Sequence, residues 1–512
     1  MIETVSNCGQ GLNTDLTPEE LGAGVWSDAQ NVRFNNGYAE RFRGMAQLFA
    51  TPAVVPYFVA PFAVDSIKYI IHMGLATGYA DDGSTRTDIT GTPPSGGIDD
   101  RWTGGTLGGI FYVNNGVNNP MYWDGNTSNN LTTLVGGGGW NTNHKCKALR
   151  PFKSFLIALN ITKTSTNYPH MVKWSAPAVP GAIPTSWDET DPALDAGELD
   201  LAETPDVLVD CLPMGDVNIV YKERSMYAMV HAQNSPYIFH FRRLPGNFGL
   251  LARGCVVDTP VGHVVLSAGD VVLHQGGQPQ SIANGAIRKY IFSGINPTYH
   301  KRAFVTSNPA KNEVWICFPY VGSSTCNRAA VWNWIDKTWS IRVLSNVTYG
   351  CTGPASLDTA WSAMSGVTWA TVTQQWSESE YSPAEHRLVL CHSTPLISLA
   401  DSGLTDFGTT ITASMTRTGM TLGDPMRVKT AKGIRPRIDG SVGDTVTIEV
   451  GGSMYPDEEP TWSAPVTYTI GQSIKADVFA TGRFLSVRFG NIGAPQWRMR
   501  SFDLDYTPGG LY

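Results

Sequence analysis

The sequence predicts an all-β protein. It reads as a β-propeller core of about six blades over residues 51–403, with loop insertions at 188–210 and 346–385. A C-terminal β-sandwich-like domain follows over 404–512. Three observations predict this. Glycine (53) and proline (32) punctuate the chain and, with 15 Trp and 19 Tyr, favour strands and turns over helices. Apolar runs recur at intervals suited to one small antiparallel sheet each. Beyond about Leu404 the runs become short and alternating.

Residues 1–50 form an N-terminal segment of their own. Thr17-Pro-Glu-Glu opens the best helix candidate, 17–30: Thr17 suits the cap, Pro18 the first turn, and Glu19 and Glu20 the positive end of the helix dipole. Residues 31–42 read as a hairpin turning at Asn36-Gly37, because both turn positions need positive φ. The segment is either a docking arm or a strand that closes the propeller.

Apolar runs then start near Ile67, Gly108, Ser154, Val217, Gly262, Glu313 and Arg387, spaced by 41, 46, 63, 45, 51 and 74 residues. Most are followed by a second strand across a tight turn. A lone four-stranded sheet cannot cover both of its faces, whereas blades packed around an axis can. The two long gaps are read as insertions. One, 188–210, is acidic: Asp188, Glu189, Asp191, Asp195, Glu198, Asp200, Glu203, Asp206 and Asp210. The other is rich in Trp, Ser and Thr. Aromatics at Tyr122-Trp123, Trp174, Phe239 to Phe241, Trp332 to Trp334 and Trp339 are read as packing between blades, with sugar stacking as the alternative. In the C-terminal domain strands are predicted at 411–417, 445–450, 466–470, 484–489 and 497–506. That domain also carries the densest basic cluster: Arg417, Arg427, Lys429, Lys432, Arg435 and Arg437.

Composition narrows the function. The net charge of −7 argues against gripping nucleic acid over a general basic surface. The longest apolar stretch, 50–64, holds three prolines and is shorter than the ~20 residues of a membrane-spanning helix. The N-terminus lacks the basic and apolar regions of a secretory signal. Eight scattered cysteines read as reduced, mostly buried thiols. No GxSxG, HExxH or Walker loop occurs. His386, Cys391 and His392 lack a completing zinc pair. The 136–139 glycine run precedes Trp140 without opening a helix, so it is a loop and not a phosphate cradle. No catalytic, cofactor or metal residue is assigned.

Three segments carry a resemblance. The first contains Gly11-Leu-Asn-Thr14, Trp26, Asn31-Val-Arg33, Gly37 and Glu40-Arg-Phe-Arg-Gly44. The second joins Gly197-Glu-Leu-Asp-Leu-Ala-Glu-Thr-Pro-Asp206 to 214–227, and the third is 261–270. Together they resemble the tail nozzle family of short-tailed bacteriophages, also called tail tubular protein B or packaged-DNA stabilisation proteins. The match covers the first 45 residues well and roughly 197–345 moderately.

The resemblance implies a non-enzymatic virion protein, assembled in the bacterial cytoplasm. It would form a homo-oligomeric ring, typically a hexamer, below the portal and its head-to-tail adaptor. The ring retains packaged double-stranded DNA and conducts it at ejection, and tail fibres or spikes dock on it. Trp26, Arg33, Arg41 and Arg43 are then candidate adaptor or ring contacts. Asp188, Glu189, Asp191, Asp195, Glu198, Asp200 and Glu203 are candidates for an acidic lumen or rim, because like charge lets DNA slide. The competing readings are a glycan-binding propeller and a glycoside hydrolase of the tail tip, using carboxylates within 188–210.

Overall fold

The computed structural model describes residues 1–511 apart from 66, 192, 233–236 and 355–385. It is an all-β protein, and its first body is a propeller of seven four-stranded antiparallel blades, one more than expected. Blade one runs Phe58–Val64, Ile67–Met73, Gly78–Asp81 and Arg86–Asp88. Blade two runs Thr103–Leu107, Ile110–Asn114, Met121–Trp123 and Thr132–Thr133. Blade three runs His144–Phe152, Phe155–Lys163, Thr166–Trp174 and Gly197–Asp200. Blade four runs Leu208–Met214, Val217–Lys222, Met226–His231 and Phe239–Arg243. Blade five runs Val256–Thr259, Gly262–Ser267, Asp270–His274 and Gln280–Ser281. Blade six runs Phe304–Asn308, Glu313–Phe318, Cys326–Asn333 and the first part, 339–343, of the long strand Trp339–Pro354. The second part, 347–354, opens blade seven, which continues through His386–His392 and Ile397–Ala400 and ends on Met45–Gln47 from the N-terminal segment.

From blade two onward the first strands of successive blades pack against one another, and Trp339–Pro354, which carries the first strand of blade seven, packs on the first strands of both blade six and blade one, closing the ring. The recurring apolar run is the second strand of each blade. That strand is paired on both edges and covered on both faces, so it is continuously apolar instead of alternating. Ile110–Asn114 and Glu313–Phe318 are buried throughout. The seventh run is no exception: His386–His392 is the second strand of blade seven, paired with 347–354 on one edge and Ile397–Ala400 on the other.

Aromatic side chains fill the spaces between blades. Phe62, Tyr69, Phe111 and Trp123 meet between blades one and two, and Phe155, Trp174 and Phe239 between blades three and four.

The second body is a sandwich. One sheet contains Ile2–Val5, Trp497–Leu511, Arg427–Gly440 and Ala480–Gly482. The other contains Asp28–Gln30, Ser414–Met420, Phe484–Asn491 and Thr445–Ser453, edged by Thr461–Trp462 and Val466–Thr469. Trp26 lies between them, 5.9 Å from the Phe489 ring and 6.4 Å from Phe502.

Several expectations are corrected. Residues 1–50 are not a free arm; a closing strand is present, but it is Met45–Gln47, the outer strand of blade seven, and not the hairpin at 31–42. The hairpin Val32–Asn35 and Tyr38–Arg41 does turn at Asn36 (φ 51°) and Gly37 (φ 77°), but it bridges the two bodies. It pairs with Ile341 of blade six on one side and with Met499 and Arg498 of the sandwich on the other. One ladder therefore runs from blade six into the C-terminal sheet, and no clean boundary falls at 404.

The predicted helix at 17–30 shrinks to a 3-10 turn, Pro18–Glu20, whose capping survives as Thr17 N donating to the Glu20 carboxylate. Gly22 and Gly24 stop it. Gly24 lies so close to the Asn7 carbonyl that a Cβ would fall 1.8 Å from its oxygen, and Asp28–Gln30 leaves as a strand. The α-helix Arg288–Gly294 gave no signal in the sequence because it spans only two turns.

The 188–210 stretch is only in part an insertion: 188–196 ends the long loop after Trp174, while the rest supplies the outer strand of blade three and the start of blade four. Of 346–385, residues 346–354 are strand and 355–385 lie outside the described residues. Five of the six residues of the basic cluster lie on the long strand Arg427–Gly440, whose 14 residues the alternation pattern missed because buried Lys429 and Arg-rich positions mask it, while Arg417 lies on Ser414–Met420 of the other sheet.

Candidate functional site

Three of the four candidate adaptor contacts are interior. Trp26 is buried and its Nε1 donates to the Cys8 carbonyl at 2.8 Å. Arg33 is buried between two carboxylates. Its Nε donates to Glu313, its Nη2 to Glu313 at 3.1 Å and to both Asp401 oxygens at 2.9 and 2.8 Å. Trp315 Nε1 and Asn308 Nδ2 complete the coordination of the same carboxylates. Arg41 is fully buried and donates from Nη2 to the Leu404 carbonyl. Beside it Arg342 is bidentate on Asp406 at 2.6 and 2.9 Å. Arg33 and Arg342 both lie over the Phe42 ring. The arginines that look like surface contacts in sequence are thus the fastening between hairpin, blade six and the strand Ile397–Ala400. Arg43 is half-buried and carries interactions of its own.

The acidic residues divide into two groups. Glu189 and Glu198 form a closed four-charge ring with Lys163 and Lys173. Lys163 reaches them at 3.3 and 2.7 Å, and buried Lys173 reaches Glu198 at 3.1 Å and also contacts Glu189. Partial desolvation opposes ionisation of Glu189, yet the Lys173 hydrogen bond and both lysine charges draw its carboxyl down to about 2. These two carboxylates are neutralised and pin the outer strand Gly197–Asp200 to blade three. Gly197 is required there, since a Cβ would meet the Trp174 ring at 2.5 Å. Asp188, Asp195, Asp200 and Glu203 are exposed, and Asp191 is half-buried. They leave a net acidic patch on the perimeter of the propeller. Glu203 lies 4.0 Å from Arg243. Asp206 and Asp210 are structural. Asp206 accepts from Ser225 and the Arg224 N–H, and Asp210 is fully buried on Arg150.

The basic cluster does not assemble into a patch. Arg417 is buried and donates to the carbonyls of Pro18, Leu21 and Thr418. Lys429 donates to the Arg483 carbonyl. Arg427, Arg435 and Arg437 face Asp424, Asp505 and Asp503.

Trp123, Trp174, Trp332, Trp334 and Trp339 are buried, so they pack between blades and offer no face to a sugar. A cleft of about 490 Å³ on the sandwich is lined by Asp28, Asp457, Glu458, Glu459, Trp462 and Arg488. There Arg488 lies 4.0 Å over the Trp462 ring and covers its face. His392 is held by Ser398 and the Ser345 carbonyl. Among the described residues no group of three or more His, Cys, Asp or Glu is arranged to hold a metal ion. Nor is any helix among them long and apolar enough to cross a membrane.

The propeller axis is the feature that sequence reasoning missed. It is closed by side chains from every blade. Phe58, Phe304 and Tyr349 stack at one level, with ring centroids 5.1 and 5.6 Å apart. Beside them Arg150 is bidentate on Asp210 at 2.8 and 2.7 Å. Arg253 Nη1 donates to the carbonyls of Arg101 (2.9 Å) and Lys147 (2.7 Å). These residues sit just before or within the first strands, where nothing in a single sequence shows that separate blades converge.

No family model matches the chain, and no curated protein matches it. Solved structures align with it at low similarity. The Raptor protein of Chaetomium thermophilum aligns at 8% identity and TM-score 0.38, over 72% of this chain and 30% of that one. The extracellular domain of the one-component system BT4673 of B. thetaiotaomicron aligns at 10% and 0.41, over 70% and 40%. PorZ, a surface component of the type-IX secretion system of Porphyromonas gingivalis, aligns at 10% and 0.33, over 73% and 43%. The match thus spans less than half of each of those chains.

Proposed function

We propose that this chain is a structural subunit of a short-tailed phage tail, forming a ring-shaped nozzle that retains packaged DNA and conducts it at ejection. The observation that carries the reading is where the resembling N-terminal residues fall. Gly11 to Gly44 stitch propeller to sandwich: Trp26 fills the sandwich core, Arg33 ties blade six, and the hairpin joins the two sheets. A segment used this way belongs to an architecture and not to an active site. It supports a subunit built to stay rigid under load, acting by geometry and charge without catalysis or cofactor.

In this reading the DNA path runs between subunits, because the axis of each propeller is filled. The perimeter of blade three, with Asp188, Asp191, Asp195, Asp200 and Glu203, faces that lumen and repels the phosphates. The ring is homohexameric. It caps a head-to-tail adaptor, carries fibres or spikes, and resides in the virion tail after assembly in the host cytoplasm. Negative-stain microscopy of the purified chain, alone and mixed with the adaptor complex of its virion, tests the reading. Rings of about six copies with an open centre, or capping of the adaptor, are expected. A stable monomer that ignores the adaptor would overturn it.

A further inference from the structure

Charge on the propeller axis does not balance. Three guanidiniums, of Arg101, Arg150 and Arg253, converge there around one buried carboxylate, Asp210. Arg150 occupies both Asp210 oxygens, and the Gly254 N–H takes one of them again at 3.2 Å. Arg101, only 8% exposed, donates from Nη1 to the carbonyls of Arg302 (3.1 Å) and Thr348 (3.4 Å). Its Nη2 is buried with no partner among the described residues. Arg253 holds two carbonyls through Nη1 and forms no ion pair among the described residues. Burial lowers its pKa to about 10, with Asp210 and Asp100 opposing and Arg101 adding to the shift. The neighbouring Arg302 is already engaged by Asp99 at 2.7 Å. A desolvated guanidinium without a counter-charge is costly, and proteins complete such sites with an anion or a paired carboxylate.

We propose that the propeller axis is an anion site, in which Arg101 Nη2 and the Arg253 guanidinium hold one small inorganic anion of halide size. The size follows from the surroundings. Arg101 lies 6.0 Å from the Phe304 ring centroid and 5.5 Å from that of Tyr349, and its free nitrogen is shut off from solvent. Among anions a halide needs the least space in so enclosed a setting. Lys147 and Gly116 form the rim. Gly116 has φ 80°, and a Cβ there would press on Arg253 Nη1 at 3.1 Å and on Lys147 at 3.4 Å. The bound ion neutralises the hub on which the blades meet.

Crystals grown in gluconate and soaked in bromide, with anomalous data, test this directly. The expected result is a bromide peak on the axis in contact with both guanidiniums. In solution, bromide or chloride should raise the melting temperature along a saturating curve relative to gluconate at equal ionic strength. Arg253→Met should abolish that dependence, and Gly116→Ala should shift its midpoint upward at least several-fold if the methionine variant does not fold. Bromide found only on exposed lysines, an adventitious ion only, would overturn the proposal. So would a halide dependence that survives either substitution unchanged.

Discussion

Replacing Arg33 with methionine should cost about 4 kcal/mol of folding stability, roughly a thousandfold in the folding equilibrium. The figure follows from what the substitution strands. Four charge-assisted hydrogen bonds disappear, and two carboxylates, Glu313 at 1% and Asp401 at 7% exposure, remain in the interior. Removing one partner of a buried ion pair typically costs about 3–5 kcal/mol, because the other charge stays desolvated. Here Trp315 and Asn308 still donate to the two carboxylates, which keeps the loss from exceeding that range.

The defect should depend on pH. Without Arg33 both carboxyls titrate above their ordinary values near ~4, so protonation relieves them. The gap between variant and wild type should narrow as pH falls from 7 towards 4. In the wild type the sign is opposite for Asp401. Burial opposes its ionisation, but Arg33 holds its pKa below the ordinary value. Its stabilisation is therefore present above that value and lost as pH falls through the lowered one. Urea unfolding followed by tryptophan fluorescence measures both effects. A triple variant, Arg33→Met with Glu313→Gln and Asp401→Asn, should recover most of the loss, since no charge is left buried. A single variant within about 1 kcal/mol of wild type, or a triple no better than the single, would refute the assignment of Arg33 as the fastening.

Three further outcomes are expected. Lys173→Met should leave Glu189 and Glu198 paired only through Lys163, costing about 1–2 kcal/mol, and should speed amide exchange selectively in Gly197–Asp200. Buried His263 and His274 have pKa values pushed down to about 4, by burial first and, for His274, also by its neighbour His263. Because the folded state disfavours their protonation, stability should be full above pH ~6.5 and fall towards pH 4, by at most about 1–3 kcal/mol per histidine. Urea titrations should show a shallower fall in His263→Gln. The cysteine thiols are pushed by burial to about 12 in Cys8, Cys146, Cys211, Cys255, Cys326 and Cys351. A thiol reagent at pH 8 should therefore label them only after denaturation, and rapid native labelling of any of the six would contradict this.

The sequence by itself determined the propeller. A second strand covered on both faces is apolar over most of its length, so Ile110–Asn114 or Phe155–Lys163 announces its blade without any knowledge of its neighbours. The Asn36-Gly37 turn is local in the same sense, because the φ values it needs are properties of those residues alone. Tertiary structure decided everything that depends on a partner distant in the chain. Arg33 and Arg41 look like surface charge because Asp401 and Leu404 stand more than 360 positions away. Glu189 and Glu198 look free because the two lysines that neutralise them lie on other strands of the blade. Residues 1–50 look like an arm because a strand cannot reveal that its edges will be taken at positions 341 and 499. The axial arginines are the extreme case. Each comes from a different blade, and only closure of the ring brings their charges to one point with a single carboxylate between them.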